Sequence, residues 1–339
     1  MTAASCGILC GMGSDDRPAL LDGTGGGRVT WDALPPRVRA AVEEGLGAPV
    51  LEARSQAGGF SPGLASRLLL ADGGRAFVKA AGPELNPDTP GIHRREIANA
   101  AAIPAAAPVP NLLWSLDEPE EDGGWVALAF ADVDGRQPRL PWRDEELDRV
   151  IAAADALHDS LTPVPPGTFD TGPFPGFGYW RRLAAKGTAP AGLDPWCLRN
   201  LDLLARLEAE TPEAVAGDTL LHGDLRADNI LLVDAPGTPH DVVFVDWPWA
   251  CVGAAWLDTL IMLPSIAMQG GPTPADAAAR IPRLRAADPD AVTAVLAVVT
   301  GFLLGQSLRP PPPGLPTVRG FQAAQGRIAL DWLRTRVPA

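Results

Sequence analysis

The sequence predicts an α+β protein in two unequal parts: a five-stranded antiparallel sheet with one inserted helix, then a mostly helical half. Three observations carry that reading. Short apolar segments of strand character crowd into residues 50–130, helix-period segments dominate after Pro141, and Asp134-Gly135-Arg136-Gln137-Pro138 interrupts both patterns between them.

Leu34, Val38, Ala41, Val42 and Leu46 recur at helical spacing, so residues 31–46 read as a helix. Val50-Leu51-Glu52-Ala53 starts the first strand. Strands over 65–70 and 75–80 flank Asp72-Gly73-Gly74, a hairpin turn in which glycine supplies the positive φ. A helix over 93–102 is stopped by Pro104, which cannot donate to a helical ladder. Strands over 111–116 and 125–130 complete the set, joined by an acidic loop containing glycine.

Helices are expected over 145–157, 198–207, 254–268, 291–304 and 320–333. The apolar run from Ala291 to Gly305 falls short of the roughly 20 residues of a membrane span and reads as a buried helix. Residues 163–178, dense in Pro, Gly and Phe, read as a long ordered loop, and Pro310–Pro313 as a stiff connector. The expected organisation is a disordered tail over 1–28, with Met12 as an alternative start, a first lobe over 29–135 and a second over 136–339. There is no internal repeat.

At 339 residues, with 46% apolar and 20% charged residues, the chain has the composition of a soluble globular protein with a sizeable core. A net charge of -13 argues against a nucleic-acid-binding surface, which would need a basic face. The same acidity is compatible with a cationic small substrate, and it is also what ordinary solubility looks like. Cys6, Cys10, Cys197 and Cys251 are too dispersed for a disulfide framework or a paired metal site, and four scattered histidines weigh against a zinc enzyme. No basic segment precedes the short apolar stretch at the N-terminus, which argues against a signal peptide. The expectation is a reduced, cytoplasmic protein with no membrane and no nucleic-acid partner; its oligomeric state is not readable.

The chemistry concentrates in Leu221-His222-Gly223-Asp224-Leu225-Arg226-Ala227-Asp228-Asn229-Ile230-Leu231-Leu232 and in Val242-Val243-Phe244-Val245-Asp246-Trp247. A polar loop carrying His, Asp and Asn opens into a short strand, and a second apolar strand ends on another Asp. Phosphoryl transfer from a magnesium nucleotide uses such groups: a carboxylate to orient a hydroxyl, and an amide oxygen and a carboxylate as hard ligands for Mg²⁺. Taken singly, Asp224 is a turn cap and Asp246 a strand-end Asp; the spacing to Asn229 favours the joint reading.

That spacing resembles the H-x-D-x-x-x-x-N loop and metal Asp of kinase-like folds, and His-Gly-Asp is similar to the loop of the aminoglycoside phosphotransferase family of small-molecule kinases. The resemblance covers roughly residues 50–258 and implies a protein-kinase-like bilobal fold. It implies Asp224 as the catalytic carboxylate and Asn229 and Asp246 as Mg²⁺ ligands. Lys79 matches the third-strand lysine that meets the nucleotide phosphates, with Glu96 on the following helix as its ion-pair partner; two unrelated solvated charges is the plainer alternative. Gly58, Gly59 and Ser61 sit where a phosphate-covering hairpin belongs, though Gly58-Gly59-Phe60-Ser61-Pro62-Gly63 is not G-x-G-x-x-G and an ordinary turn is the alternative. The backbone around Ala129, Phe130 and Ala131 is implied as the nucleobase contact. His222 is expected to support the loop internally, His158 to cap its helix, and Asp258 to stabilise the loop from the next helix. Asp228 is expected to point away from the metal.

Two departures are informative. Asp246-Trp247-Pro248 replaces Asp-Phe-Gly, and no Ala-Pro-Glu segment follows, which fits small-molecule kinases. The leading expectation is therefore an ATP- or GTP-dependent, Mg²⁺-requiring kinase acting on a hydroxyl of an aminoglycoside-like antibiotic, a sugar or an amino alcohol, with antibiotic resistance as the namesake activity. Asp155, Asp159 and Asp170 are candidates for an acidic substrate pocket, solvated surface being the plainer reading. A catalytically silent nucleotide-binding pseudokinase is the alternative; a metal-dependent hydrolase built on His222 and Asp224 is weaker, lacking a second ligand cluster.

Overall fold

The computed structural model describes residues 28–56, 62–167, 178–234 and 238–337. The expected disordered tail lies outside these residues except for Arg28, which belongs to the folded part and bridges to Gly63.

The first half is a five-stranded antiparallel sheet of β1 (Val50–Ser55), β2 (Leu64–Leu70), β3 (Arg75–Ala81), β4 (Leu112–Asp117) and β5 (Val126–Ala131), in the order β1-β2-β3-β5-β4. Helix α1 (Pro36–Leu46) covers one face, and α2 (Thr89–Ala102) lies between β3 and β4 in sequence, as the spacing predicts. The two-residue period sorts the side chains of β3. Ala76, Val78 and Ala80 join Val38 and Val42 in the core, which leaves Phe77 and Lys79 on the opposite face, facing a cavity.

The second half is helical: α3 (Asp144–Ser160), α4 (Tyr179–Lys186), α5 (Pro195–Arg199), α6 (Leu201–Ala214), α7 (Leu257–Met268), α8 (Pro274–Arg280), α9 (Pro282–Ala286), α10 (Pro289–Ser307) and α11 (Val318–Arg336). A second hydrophobic core, with Leu147, Leu204, Phe244, Leu263 and Leu333 among its members, fills this half. Helix α10 is long and apolar enough to cross a membrane, yet it packs against α6 and α11 and is buried along ten of its residues. Gly326 of α11 fits against Leu303 and Leu304 there, where a Cβ would approach their side chains to a tight 3.0–3.1 Å.

Several elements were not legible as periodic segments. Helices α4, α5, α8 and α9 have eight residues or fewer, too short for an apolar stripe to repeat. The expected helix over 198–207 is two, because Asn200 caps one end and begins the next. The expected ordered loop over 163–178 lies largely outside the described residues.

Four three-residue strands bring the chemistry together. β6 (Thr219–Leu221) pairs with β9 (Cys251–Gly253), and β7 (Ile230–Leu232) with β8 (Val242–Phe244). The first pair fixes the start of the loop 222–229; the second fixes its end and the residues just after β8.

Candidate active site

A cavity of about 500 Å³ lies between the sheet and the helical half, bordered by Lys79, Glu96, Phe130, Asn229 and Asp246 among others. Each arrives by local rules. Asn229 immediately precedes β7, and Val245 donates to its carbonyl at 3.0 Å, one rung beyond the Ile230–Phe244 pair. That rung sets Asp246 next to Asn229. Asp246 has φ +71°, a left-handed conformation that Asp tolerates better than bulkier residues. The turn sends Trp247 into the core, where its Nε1 donates to the Phe244 carbonyl at 3.0 Å, while its own carbonyl accepts from Asn99 of α2 at 2.8 Å.

Lys79 is the bridge across the cavity. Its Nζ lies 2.7 and 2.8 Å from the two Glu96 oxygens and 2.5 Å from Asp246 Oδ1. Burial disfavours the ammonium, but Asp246 and Glu96 together override it and raise the Lys79 pKa. Burial likewise works against the Asp246 carboxylate, and Lys79 reverses it, holding Asp246 down to about 2. Glu96 is the more enclosed of the two acids, and burial pushes it up to about 7 despite Lys79.

The loop 222–229 hangs on Asp258, a fully buried residue of α7. Its carboxylate accepts from the backbone N–H of His222 at 2.7 Å, from that of Gly223 at 2.9 Å, and from His158 Nε2 at 3.1 Å. His158 therefore does not cap its helix; it reaches inward as a strut to Asp258. Burial opposes the Asp258 charge, but the bond from His158 and the nearby histidines hold its pKa below the usual carboxylate range. His222 accepts from the Asp224 N–H at 3.2 Å and donates from Nε2 to the Val245 carbonyl at 2.9 Å, which fixes the neutral tautomer and ties the loop to the Asp246 turn. Burial lowers its pKa accordingly. Gly223 has φ +79°, and a Cβ there would lie 2.2 Å from the Trp249 carbonyl oxygen, so no larger residue fits between His222 and Asp224.

Asp224 is held by this frame, its carbonyl accepting from the Asn229 amide at 2.8 Å. Burial raises its carboxyl to about 7, though 29% of the side chain stays open to solvent, which moderates the shift. Arg226 lies beside it, 3.4 Å from Asp224 and 2.9 Å from Asp228, over the ring of Phe321. Asp228 borders the cavity but spends its carboxylate on Arg226.

Lys79, Glu96, Asn229 and Asp246 thus converge, with Asp224 on the same loop. Phe130 and Ala131 border the cavity, but they form the end of β5, and the Ala131 N–H is already committed to the Asn111 carbonyl at 2.9 Å. The free-running segment begins later, at Asp132 and Val133, where Asp132 is pinned by Arg67 at 2.6 Å and Arg75 at 2.9 Å. Gly58, Gly59 and Ser61 lie outside the described residues. Gly63 just beyond them has φ +127°, with the Ala80 carbonyl 2.5 Å from where a Cβ would be. Of the three candidates for an acidic pocket, Asp155 and Asp159 are both engaged by Arg283, at 2.9 and 2.5 Å, and Asp170 lies outside the described residues. Sequence reasoning did not single out Arg226, Arg28 or His93. Arg226 carried a signal in its place between two aspartates, and His93 in its helical spacing from Glu96.

The donor set suits a hard cation. Among the described residues no three His, Cys, Asp or Glu side chains cluster as a metal site. Asn229 and Asp246 offer two oxygens, the number Mg²⁺ takes when phosphate oxygens and water fill its octahedron.

The model of the phosphotransferase enzyme family matches residues 58–295. No curated protein sequence matches the chain. Among solved structures, choline kinase LicA from Streptococcus pneumoniae superposes with a TM-score of 0.58 at 12% identity, covering 88% of this chain and 99% of that one. Amicoumacin kinase hAmiN, solved with AMP-PNP, Ca²⁺ and Ami, gives 0.53 at 12% identity, with coverage of 88% and 96%. Spectinomycin phosphotransferase APH(9)-Ia, solved with ADP and spectinomycin, gives 0.52 at 11%, with 87% and 97%. These likenesses establish the kinase-like fold, and the family match spans the strand of Lys79, the loop of Asp224 and the turn of Asp246. The chain belongs to the phosphotransferase enzyme family.

Proposed function

We propose that the protein is an ATP- or GTP-dependent, Mg²⁺-requiring kinase that transfers the γ-phosphoryl group to a hydroxyl of a small molecule. The observation that carries this reading is Lys79, whose Nζ joins Glu96 of the sheet half to Asp246 of the helical half beside the Asp224 loop. Residues 29–135 would bind the nucleotide, and 136–339 would supply the loop and the acceptor side.

In this reading Asp224 accepts the proton of the acceptor hydroxyl while that oxygen bonds to the γ-phosphorus and the β–γ bridging oxygen departs with its electron pair. A carboxyl raised toward neutrality is a competent base near pH 7. Asp246 and Asn229 would hold the cation, and Lys79 would meet the nucleotide phosphates. When bound, Mg²⁺ neutralises phosphate charge. Asp258, His158 and His222 keep the loop fixed, so the hydroxyl meets a carboxylate already in place.

The acceptor class comprises aminoglycoside-like antibiotics, sugars and amino alcohols. The choline and amicoumacin kinases and the spectinomycin phosphotransferase support that range by their fold. Purified protein is incubated with Mg·ATP or Mg·GTP and a panel of these alcohols, and nucleoside diphosphate release and phosphorylated product are measured. Transfer to one acceptor, abolished by Asp224→Asn, is the expected result. Tight nucleotide binding with no transfer to any acceptor, and no effect of Asp224→Asn, would favour the silent pseudokinase instead.

A further inference from the structure

The inward face of α2 is a stripe of polar residues. Thr89, His93, Glu96 and Asn99 recur every three or four positions, and all are buried. Burial of a polar group is costly without a hydrogen-bond partner. Glu96 has Lys79, Asn99 has the Trp247 carbonyl, and the Thr89 N–H has Asn86. His93 breaks the pattern: its side chain borders the cavity, the residue is 2% exposed, and neither ring nitrogen has a partner among the described residues. A neutral imidazole always presents one N–H and one lone pair, and a folded protein seldom leaves both unused.

The surroundings indicate what partner suits it. His93 stands one helical turn before Glu96, and Lys79 and Arg28, which also border the cavity, are close enough to act on its titration. Burial first, then Lys79, lowers its pKa to about 3, so the ring is a neutral donor rather than a cation. Glu96 and Asp246 border the same space and pair with Lys79, and Asp246 also acts on the ring. With Asp246 given over to a cation in the proposed reaction, Lys79, Arg28 and a neutral N–H fit an oxyanion bearing several oxygens better than a hydroxyl or an apolar group. The nucleotide polyphosphate is the one ligand in the proposed reaction that has such oxygens.

We infer that His93 donates a hydrogen bond to a polyphosphate oxygen of the bound nucleotide, as a third phosphate-facing group beside Lys79 and Arg28. The inference rests on the nucleotide reading of this cavity. In the present arrangement Lys79 is held by Glu96 and Asp246; phosphates bound at Lys79 and Arg28 would bring an oxygen to the cavity wall that His93 shares with them. His93 is then a residue kept at the expense of the free protein's stability for the sake of the loaded one.

That trade gives a distinctive test. The full chain and His93→Leu are titrated calorimetrically with ADP and adenosine, or with GDP and guanosine if the guanine nucleotide is the one that stabilises the wild type, and are melted without ligand. The expected result is a Kd for the diphosphate raised about tenfold, a nucleoside Kd within about twofold of wild type, and a higher ligand-free Tm. His93→Gln, which keeps an N–H donor, recovers about threefold of the lost affinity. Independently of any variant, the imidazole ¹⁵N shifts of the wild type, simplified by only four histidines, move for one ring on addition of the diphosphate and not of the nucleoside. Equal losses for diphosphate and nucleoside assign His93 a packing role and overturn the inference. So does unchanged diphosphate affinity, or a histidine spectrum indifferent to the phosphates. If the wild type itself binds neither ADP nor GDP, the nucleotide reading falls and takes the inference with it, an outcome distinct from a wild type that binds and a variant that binds equally well.

Discussion

Removing the Asp258 carboxylate tests whether the catalytic loop is held from beneath. Asp258→Ala orphans three donors at once: the His222 N–H, the Gly223 N–H and His158 Nε2. A buried donor left without its acceptor costs about 1–3 kcal/mol, and water entering the vacated space can satisfy one or two of the three, so the expected loss is roughly 1–6 kcal/mol. Against a total stability of about 5–15 kcal/mol that is a large fraction, seen as a Tm fall on the order of 10 °C. Asp258→Asn keeps one carbonyl acceptor and is expected to lose about half as much. The sign of the pH dependence follows from the lowered Asp258 pKa. A carboxylate depressed in the folded state contributes stability above its unfolded pKa of about 3.9, and that stability is lost as pH falls through the folded value. The variant should therefore show a shallower acid slope than wild type below about pH 4. Urea unfolding at pH 7 and along an acid series measures both quantities. An Asp258→Ala loss below about 1 kcal/mol, or an acid slope identical to wild type, would refute the idea that this carboxylate carries the loop.

Asp224→Asn should lower kcat by about 10²–10⁴ with nucleotide Kd unchanged within about threefold, checked by single-turnover transfer and calorimetry. Because burial raises Asp224 to about 7, the wild-type rate should climb with pH up to about that value; a flat profile from pH 5 to 8 would count against Asp224 as the base. Lys79→Met leaves Glu96 and Asp246 facing each other unpaired and should cost about 3–5 kcal/mol in urea unfolding, with part of it restored by adding Glu96→Leu; no restoration would show that Glu96 is not the uncompensated charge. Gly223→Ala puts a Cβ 2.2 Å from the Trp249 oxygen at φ +79°, so a loss of about 2 kcal/mol or more and a collapse of transfer activity are expected, and a variant melting with wild type would contradict the close approach. His93 is buried neutral with its pKa lowered to about 3, so the unfolded chain binds the extra proton below about pH 6.5 and stability falls as pH drops; His93→Leu should flatten that slope between pH 6.5 and 5.

What could be read without the structure was whatever repeats or whatever chemistry specifies by type. The hairpin at Asp72-Gly73-Gly74 and the alternation that sends Val78 inward and Lys79 outward follow from local rules, as does the long amphipathic α3. The family resemblance, resting on Asp224, Asn229 and Asp246, anticipated which loops converge. The three-residue strands β6 and β9 escaped, since three residues cannot display a period; β7 and β8 were legible as the apolar runs beside the polar loop, but not the pairing between them that puts Asn229 against Val245. His158 was misread for a related reason. From sequence its position at the end of α3 suggests a cap, because nothing local shows that a carboxylate 100 residues away lies 3.1 Å from its ring.

His93 shows why a buried polar residue resists both routes. By composition α2 offers histidine, glutamate and asparagine where a surface helix would carry them outward, and only packing against β3, β4 and β5 reveals that this polar face is the inner one. Such a helix is a poor stabiliser of the sheet: its buried face brings few apolar contacts and several desolvation costs, each offset only by a specific partner. Lys79 offsets Glu96 and thereby joins the sheet to Asp246; Trp247 offsets Asn99 and joins α2 to the turn after β8. Both links cross from one hydrophobic core to the other, so the polar face is what fastens the two halves at the cavity. A face selected for apolar packing would hold the sheet more tightly and leave Lys79 and Asp246 without a common frame. The unpartnered imidazole is the one place on that face where the protein alone does not complete the set.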